Sequence, residues 1–232
     1  MRIPILLYHS ISRKDDGSSV SVNNFYKQMK TLLKLGYKSV NLKDIFLSEH
    51  KKKFVITFDD AYEEMFENVF PILKELNLKA TCFVVTHCIG KINFWDKARL
   101  DYSKKKIMNE QQIIQWHKSG LEIGSHTLDH ENLTKLTSKE KISQICESKK
   151  ILEQKIAIDI KSFSYPYGRY DDESIKIVKD TYSYAVTTKR ARFKVDQFNK
   201  IQIPRIPINA DTSIYKFLIK VLTFYEDIKF KT

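Results

Sequence analysis

Two adjacent carboxylates follow a strongly apolar segment of the chain. Residues 54–58, with the sequence FVITF, have the β-branched character of a buried strand and lead directly into Asp59 and Asp60. Adjacent carboxylates at the end of a buried strand repel each other, and they are costly unless a cation or hydrogen bonds hold them. Because neighbouring side chains point in different directions, one Asp could bind a metal while the other faces a substrate. The alternative is a helix N-cap, for which one Asp suffices.

Two histidines stand four residues apart after another short strand pattern. Residues 121–125 lead into His126-Thr-Leu-Asp-His130. We expect these imidazoles on one face of a helical turn, where they could chelate one divalent ion. Two His and one carboxylate leave coordination positions open, as a catalytic metal site needs. The alternative is a chance pair of surface histidines, although the chain has only six His.

Two further segments place polar groups where a strand is expected to end. Residues 161–165 lead into a Pro-Tyr-Gly turn centred on Tyr167, whose backbone N–H groups could bind an oxyanion. The turn could equally be a plain connection. Residues 3–8 lead into His9, which could act as a general acid or could be a core or capping histidine.

The elements that must position these segments alternate along the chain. Short apolar strand patterns are separated by helical patterns, such as residues 23–35 and the helix that a capping box at Thr137 and Glu140 begins. This alternation predicts an α/β fold with a mostly parallel sheet covered by helices. About seven or eight strands without a linker favour a (β/α) barrel over an open sheet, with residues 1–232 as a single domain. In such a barrel the chemistry lies at the C-terminal ends of the strands, where all four segments fall.

Composition excludes several classes of protein. The 232 residues are 42% hydrophobic and 29% charged, which is too apolar for a disordered chain. Three Cys with no C-x-x-C pair argue against a disulfide framework or a thiolate zinc site. No run reaches 18 apolar residues, and the N-terminus lacks a signal-peptide pattern. We therefore expect a cytoplasmic protein, or one of the cell envelope if a leader has been trimmed.

The net charge is strongly positive. The chain has 40 Lys and Arg against 28 Asp and Glu, a formal charge of +12. Such an excess could steer a nucleic acid, an acidic polymer or a membrane surface, or it could be a compositional bias toward Lys. Lysine reads bases and phosphates poorly because it cannot form bidentate contacts. We therefore expect no nucleic-acid partner.

At these segments the sequence resembles the polysaccharide deacetylases, carbohydrate esterase family 4. The family's T-F-D-D motif is present as residues 57–60, its H-S/T-x-x-H motif as residues 126–130 and its P-Y-G turn as residues 166–168. The resemblance implies a single distorted (β/α) barrel of about seven strands. It covers most of the chain, from His9 to about Arg205.

The resemblance also implies a role for each residue. The ligands of the divalent metal would be Asp60, His126 and His130; the metal would be Zn²⁺, with Co²⁺, Ni²⁺ or Fe²⁺ as alternatives. Asp59 would take the proton of the attacking water, and the N–H of Tyr167 would help to hold the oxyanion.

Two departures from the usual family pattern concern the general acid and the residue that orients the base, and a D-x-x-D-W segment of the family has no clear match. The L-x-x-H motif, whose His is the general acid, usually lies near the C-terminus, but here it is Leu6-Leu7-Tyr8-His9. This order resembles the circularly permuted branch, which includes deacetylases of poly-N-acetylglucosamine. The Arg that usually stands two residues before the Pro of the turn is replaced by Ser164. Arg205, from another predicted strand, could supply that guanidinium to the base.

The resemblance implies an enzyme that removes the N-acetyl group from an amino sugar or a glycan. The alternatives are a metal-dependent hydrolase of another acyl bond or a phosphoester, and an inactive carbohydrate-binding barrel. The excess of Lys would suit an anionic or lipid-linked glycan, or a membrane face. The Lys-rich segment from Gly90 to Met108, with Phe94 and Trp95, is where we expect rings that could stack on sugars.

Overall fold

The structure is a computed structural model that describes residues 2–13, 19–95, 104–195 and 199–230. Within these ranges the strands are β1 Arg2–Ile3, β2 Ile5–Tyr8, β3 Ile11–Ser12, β4 Val20–Ser21, β5 Lys38–Val40, β6 Lys53–Phe58, β7 Thr81–Val84, β8 Glu122–Ser125, β9 Ser162–Ser164, β10 Tyr184–Arg190, β11 Phe193–Lys194 and β12 Ile203–Pro207. The α-helices are α1 Val22–Lys34, α2 Phe70–Glu75, α3 Glu110–Lys118, α4 Ser138–Ile142, α5 Ser148–Ile156, α6 Asp172–Thr181, α7 Ile214–Leu222 and α8 Tyr225–Lys229.

Seven parallel strands close into a barrel. Their order is β2, β12, β10, β9, β8, β7 and β6, and β6 pairs again with β2. Strand β5 pairs with the first half of β6, on the side where β7 pairs with its second half. The prediction of a seven-stranded (β/α) barrel is confirmed. Closure through β2 means that the first and last barrel strands are neighbours, which brings the two ends of the chain to one site.

Aromatic side chains pack the layer between the barrel and its helices. Tyr8 of β2 and Phe58 of β6 are fully buried, and their ring centroids lie 5.7 Å apart. The ring of Phe25 in α1 lies 5.4 Å from the Tyr8 ring and 5.9 Å from the Phe58 ring. The Tyr8 hydroxyl donates a 2.8 Å hydrogen bond to Gln28 of α1, which satisfies a buried polar group. These contacts fix α1 against the pair of strands that closes the barrel.

A buried carboxyl group closes the N-terminal end of the barrel. Glu122, at the start of β8, accepts hydrogen bonds from the hydroxyls of Ser162 and Thr81 and from the backbone N–H of Lys43. Burial raises the pKa of Glu122, which the three donors only partly offset. The group therefore ties three strands together at the end opposite the polar strand ends described below.

Two helices contain a turn of π-helix that the sequence pattern does not predict. Residues Met65–Val69 form one, directly before α2, and Ser143–Glu147 form the other, between α4 and α5. Pro71 follows the first of these π-helical turns, inside a helix that runs without a break into α2, and it has no N–H to donate to the preceding turn. No helix in the described part of the chain is long and apolar enough to cross a membrane.

Candidate active site

The polar strand ends meet at the C-terminal mouth of the barrel. Asp59 and Asp60 follow β6, His126 follows β8, and Tyr167 lies in the turn after β9. His9 follows β2, where its charge acts on the pKa of Asp59. The structure therefore brings the residues singled out in the sequence to one place, from strands that are far apart in the chain.

Asp59 and Arg205 form a buried ion pair inside the barrel. Asp59 is 2% exposed and Arg205 is fully buried. The guanidinium donates two parallel hydrogen bonds of 2.7 Å, from Nη1 to Oδ1 and from Nη2 to Oδ2 of Asp59. Its remaining donors reach Thr57 Oγ1 at 3.1 Å, Ser164 Oγ at 3.1 Å and the Thr187 carbonyl at 2.9 Å. A bidentate pair with all donors satisfied is the geometry in which a buried charge pair is stable.

The ion pair sets the protonation state of Asp59. Burial is the largest single influence and acts to raise the pKa of this carboxyl group, but the charge of Arg205, the charge of His126, the hydrogen bonds of Arg205 and the charge of His9 together outweigh burial. The pKa of Asp59 is therefore held well below its usual range. At neutral pH the group is a carboxylate that can accept a proton.

Asp60, His126 and His130 present three donor atoms to one point. Asp60 Oδ1 lies 3.7 Å from His126 Nε2 and 3.4 Å from His130 Nε2, and all three residues are buried. Ligands about 2.1 Å from a tetrahedral ion stand about 3.4 Å apart, so these separations fit a single divalent ion. Within the described residues these three side chains are the cluster that could hold a metal.

The electrostatics of the two imidazoles also fit a metal site. His126 Nδ1 lies 2.7 Å from the Ser164 carbonyl, so Nδ1 carries the proton and Nε2 presents its lone pair to Asp60. Burial lowers the pKa of His126 to about 4 and the pKa of His130 well below its usual value. Two neutral imidazoles and a carboxylate that face each other repel through their lone pairs unless a cation lies between them.

The histidine loop is not a helical turn, which corrects the expectation from the sequence. Residues 126–130 are irregular, and both Thr127 and His130 have positive φ, at 67° and 60°. The loop is held by Gln144, whose Oε1 accepts from the N–H groups of Leu128 and Asp129. The imidazoles still converge, with ring centroids 4.8 Å apart. The i, i+4 spacing was informative, although the helix that it suggested does not form.

Tyr167 and His9 lie at the edge of this site. The Tyr167 ring is 42% exposed and meets the His130 imidazole edge-on, 4.6 Å between centroids. His9 is exposed at the end of β2, and its charge acts on the pKa of His126 and of His130 as well as on that of Asp59.

Trp95 is placed differently from the expectation that it offers a free ring to a sugar. Its side chain is only 7% exposed, and it stacks on the His130 imidazole at 4.7 Å and on Tyr62 at 6.3 Å. Residues 96–103 of the same segment lie outside the described residues. Phe94, which is 37% exposed, keeps a partly free ring.

Two residues of the site, Ser164 and Thr57, were not given a contact with Arg205 from the sequence, and Trp95 was given a different role. Ser164 was noted only as the replacement of an expected Arg, yet its hydroxyl contacts the Asp59 and Arg205 side chains and its carbonyl accepts from His126. Thr57 contacts the Arg205 guanidinium, and Trp95 covers His130. The signal for Ser164 was present, because a small side chain at that position leaves room for a guanidinium from another strand.

Backbone strain is concentrated in the loops of the site. In the described part of the chain, seven non-glycine residues have positive φ, and five of them lie here: Asp60, Ala61, Thr127, His130 and Tyr167. This conformation is costly for residues with a Cβ and persists where surrounding contacts determine it. The turns at these strand ends therefore reduce the stability of the fold, and in return they hold the side chains of the site in place.

The low pKa of His126 predicts an acid-sensitive metal-free protein. Between pH 6.5 and 4 the unfolded chain binds a proton at this residue and the folded chain does not, so stability falls as the pH falls. The shift from 6.5 to about 4 corresponds to a loss of about 3 kcal/mol. Urea unfolding with chelator present should show about 2 kcal/mol of this loss between pH 7 and pH 4.5, because the interval ends above the pKa of the folded protein.

The matched control is His126→Asn, whose amide nitrogen can keep the hydrogen bond to the Ser164 carbonyl. This variant should lose markedly less stability over the same interval. Asp59 does not interfere, since its low pKa matters only below the usual carboxyl range. Equal losses in the two proteins would show that His126 is not buried in its neutral form.

Comparison with known proteins gives consistent matches over most of the chain. The family model described as polysaccharide deacetylase matches residues 47–186. The chain is 33% identical over 205 residues to the Bacillus subtilis (strain 168) protein YxkH, whose name assigns it provisionally to the polysaccharide deacetylases. The aligned region covers 84% of this chain and 68% of that protein. It is 31% identical over 233 residues to the poly-beta-1,6-N-acetyl-D-glucosamine N-deacetylase of Staphylococcus aureus (strain MRSA252), covering 93% and 76% respectively.

Solved structures share the fold. A Streptococcus pyogenes deacetylase, PplD, in complex with acetate aligns with a TM-score of 0.82 at 23% identity, over 95% of this chain and 98% of that one. A polysaccharide deacetylase from Bacillus cereus aligns with a TM-score of 0.81 at 24% identity, over 95% and 69%. At these identities the likeness concerns the barrel and its topology.

Proposed function

The chain belongs to the polysaccharide deacetylase family, whose members are carbohydrate deacetylases, and on that premise we propose that it hydrolyses the N-acetyl group of an N-acetylated amino sugar within a glycan. The single observation that supports this best is the pairing of a buried, ionised Asp59 with a separate cluster of metal-ligand atoms at the same barrel mouth. Amide hydrolysis needs both a base for water and a means of polarising the carbonyl group.

The metal site would be formed by Asp60, His126 and His130. Two imidazoles and one carboxylate suit Zn²⁺ best, and they also accept Co²⁺, Ni²⁺ or Fe²⁺. When bound, such an ion supplies Lewis-acid chemistry and makes a water molecule acidic enough to lose its proton near neutral pH.

Asp59 is the proposed general base. Its carboxylate is ionised at neutral pH, and Arg205 holds both oxygens in a fixed orientation. The guanidinium comes from β12, not from the strand of Ser164, whose hydroxyl completes the contact at 3.1 Å. We propose that Arg205 positions the base and does not itself touch the substrate.

Tyr167 and His9 would serve the acyl carbon and the leaving amine. The backbone N–H of Tyr167, in a turn with φ of 57°, would donate to the developing oxyanion. His9, which precedes Asp59 in the sequence whereas Tyr167 follows it, would protonate the amine. The amine is otherwise a very poor leaving group. Because these residues and Arg205 come from both ends of the sequence, we also propose that residues 1–232 act as one deacetylase domain.

Acetate release tests the proposal. The substrates are chitooligosaccharides, poly-N-acetylglucosamine, peptidoglycan fragments and nucleotide-linked N-acetyl sugars, each assayed with metal-loaded protein, with chelated protein and after Zn²⁺ is restored. We expect acetate from at least one substrate, lost on chelation and regained with the ion. Metal-loaded protein that releases acetate from none of them, but hydrolyses an acetyl ester, would assign the chain to another acyl bond.

A further inference from the structure

A groove leads away from the candidate active site along two of its loops. Its volume is about 610 Å³, and it is lined by Glu131, Asn132, Thr134, Lys135, Tyr167 and Arg169. We call it the side groove. The side groove is adjacent to the candidate metal ligand His130. Its lining residue Glu131 follows His130 in the chain, and the ring of its lining residue Tyr167 contacts the His130 imidazole. The volume falls within the range of about 300–1,000 Å³ that small-molecule sites occupy.

The walls of the side groove are held by local contacts. On one side, Asn132 Oδ1 accepts from the backbone N–H of Thr134 at 3.2 Å and from its hydroxyl at 2.9 Å. On the other side, Gly168 has φ of 65°, and a Cβ there would lie 1.9 Å from Thr188 Oγ1. Only glycine lets this turn approach Thr188 so closely. The groove is therefore formed before any ligand binds.

The side groove carries an excess of positive charge. Lys135 and Arg169 are both exposed, and neither makes an ion pair with any residue in the ranges that the structure describes, Glu131 included. Two lysines of the 90–108 segment differ: Lys105 lies 3.0 Å from Glu64, and Lys106 lies 2.9 Å from Glu63. The groove thus offers two available cations against one carboxylate.

We propose that the side groove binds an anionic substituent, a carboxylate or a phosphate, on the sugar next to the one that is deacetylated. The proposal rests on the proposed function, because it places the acetamide at the barrel mouth and the neighbouring sugar in the groove. The guanidinium of Arg169 can hold either anion in a bidentate manner, and Lys135 adds a point charge. The exposed ring of Tyr167 lies between the two sites, where it can pack on a sugar face.

The substrate class is therefore an acidic N-acetylated glycan. A neutral polymer of N-acetyl amino sugars leaves both cations without a partner, so it binds more weakly. The net charge of +12 favours the same class at long range, since it steers anions to the protein, but only the groove decides where the anion lies.

Three oligosaccharides of equal length test the proposal. One is neutral chitotetraose, one is a peptidoglycan tetrasaccharide with a carboxylate on every second sugar, and one is chitotetraose with a 6-phosphate. We measure KM and kcat for acetate release, and we measure binding by calorimetry to the Asp59→Asn variant. We expect KM and Kd at least about tenfold lower for one or both acidic substrates, with the advantage shrinking as salt rises. The acidic substrate that shows the lower KM and Kd identifies the preferred anion as a carboxylate or a phosphate.

Charge reversal assigns the effect to the groove. The double variant Lys135→Glu/Arg169→Glu should lose the preference for the acidic substrate through KM and Kd, while Lys135→Arg/Arg169→Lys keeps it. The matched control is Lys34→Glu/Lys150→Glu, which makes the same change of net charge on exposed helical lysines outside the groove. Circular dichroism verifies that all variants fold.

Two outcomes overturn the inference. One is an equal KM and Kd for neutral and acidic substrates; the other is a control variant that weakens acidic substrates as much as the groove variant does. Acetate release from chitotetraose in either case leaves the deacetylase proposal standing. Absence of release from all three substrates would count against the deacetylase proposal, while the calorimetric Kd values would still decide whether the groove selects anions.

Discussion

Asp59→Asn should reduce the rate of acetate release by about 10²–10⁴-fold while the protein still binds its metal. The amide cannot accept the proton of the attacking water, and general-base catalysis contributes an effect of this size. The three candidate ligands, Asp60, His126 and His130, are unchanged, so the dissociation constant for Zn²⁺ or Co²⁺ should stay within a few-fold of the wild-type value. The absorption spectrum of the Co²⁺ protein and a competition assay measure the second half of this prediction.

The matched control is Asp180→Asn, which makes the same substitution at an exposed residue of α6. It should leave both rate and metal affinity unchanged. If Asp59→Asn keeps the wild-type rate, Asp59 is not the base; if it loses the metal, the two adjacent Asp have exchanged roles. The experiment therefore separates two carboxylates that no spacing argument can distinguish.

Arg205→Met should destabilise the protein by about 3–5 kcal/mol, because it leaves Asp59 as a buried charge with no opposite partner. The double variant Asp59→Asn/Arg205→Met removes both charges, and it should be more stable than the Arg205→Met single variant. Urea unfolding of the two single variants and the double variant forms a thermodynamic cycle that measures the coupling. Simple additivity of the three values would contradict the paired geometry.

The same variant should change the pH profile of the reaction. Without the guanidinium, burial is the dominant influence on Asp59, so its pKa rises toward neutrality. A base must be deprotonated to act, so kcat/KM of Arg205→Met should fall as the pH drops from 7 to 5, whereas this residue does not limit the wild-type rate in that interval. Arg205→Lys keeps the charge but loses the bidentate contact, and its profile should lie between the two.

The strand pattern and the chemistry at strand ends could be predicted from the sequence because both depend on local signals. The apolar run 54–58 lies within β6, and residues 121–125 overlap β8 to within a residue. Parallel strands end on the same face of a barrel, so Asp59 and His126 had to meet once the barrel was assumed. Arg205 could be suggested only because an expected Arg was missing beside Pro166.

The conformation of the loops could not be predicted, since it depends on tertiary contacts. Thr127 adopts a positive φ while Gln144, which lies in a turn of π-helix, binds the next two backbone N–H groups. Nothing near Thr127 in the sequence signals this. The stacking of Trp95 on His130 likewise joins two segments with no shared pattern. Spacing identified the ligands, but long-range packing decides their geometry.

The distance in sequence between Asp59 and Arg205 has a consequence for synthesis of the protein. The two partners are separated by 146 residues. At about 5–20 residues per second, roughly 7–30 seconds pass on the ribosome between the addition of the carboxylate and the addition of its guanidinium. During that time burial of Asp59 would leave its charge without a partner, so a closed interior around β6 is unfavourable. The nascent chain should therefore remain open and exposed to chaperones until β12 arrives, and the barrel should close in a single late step.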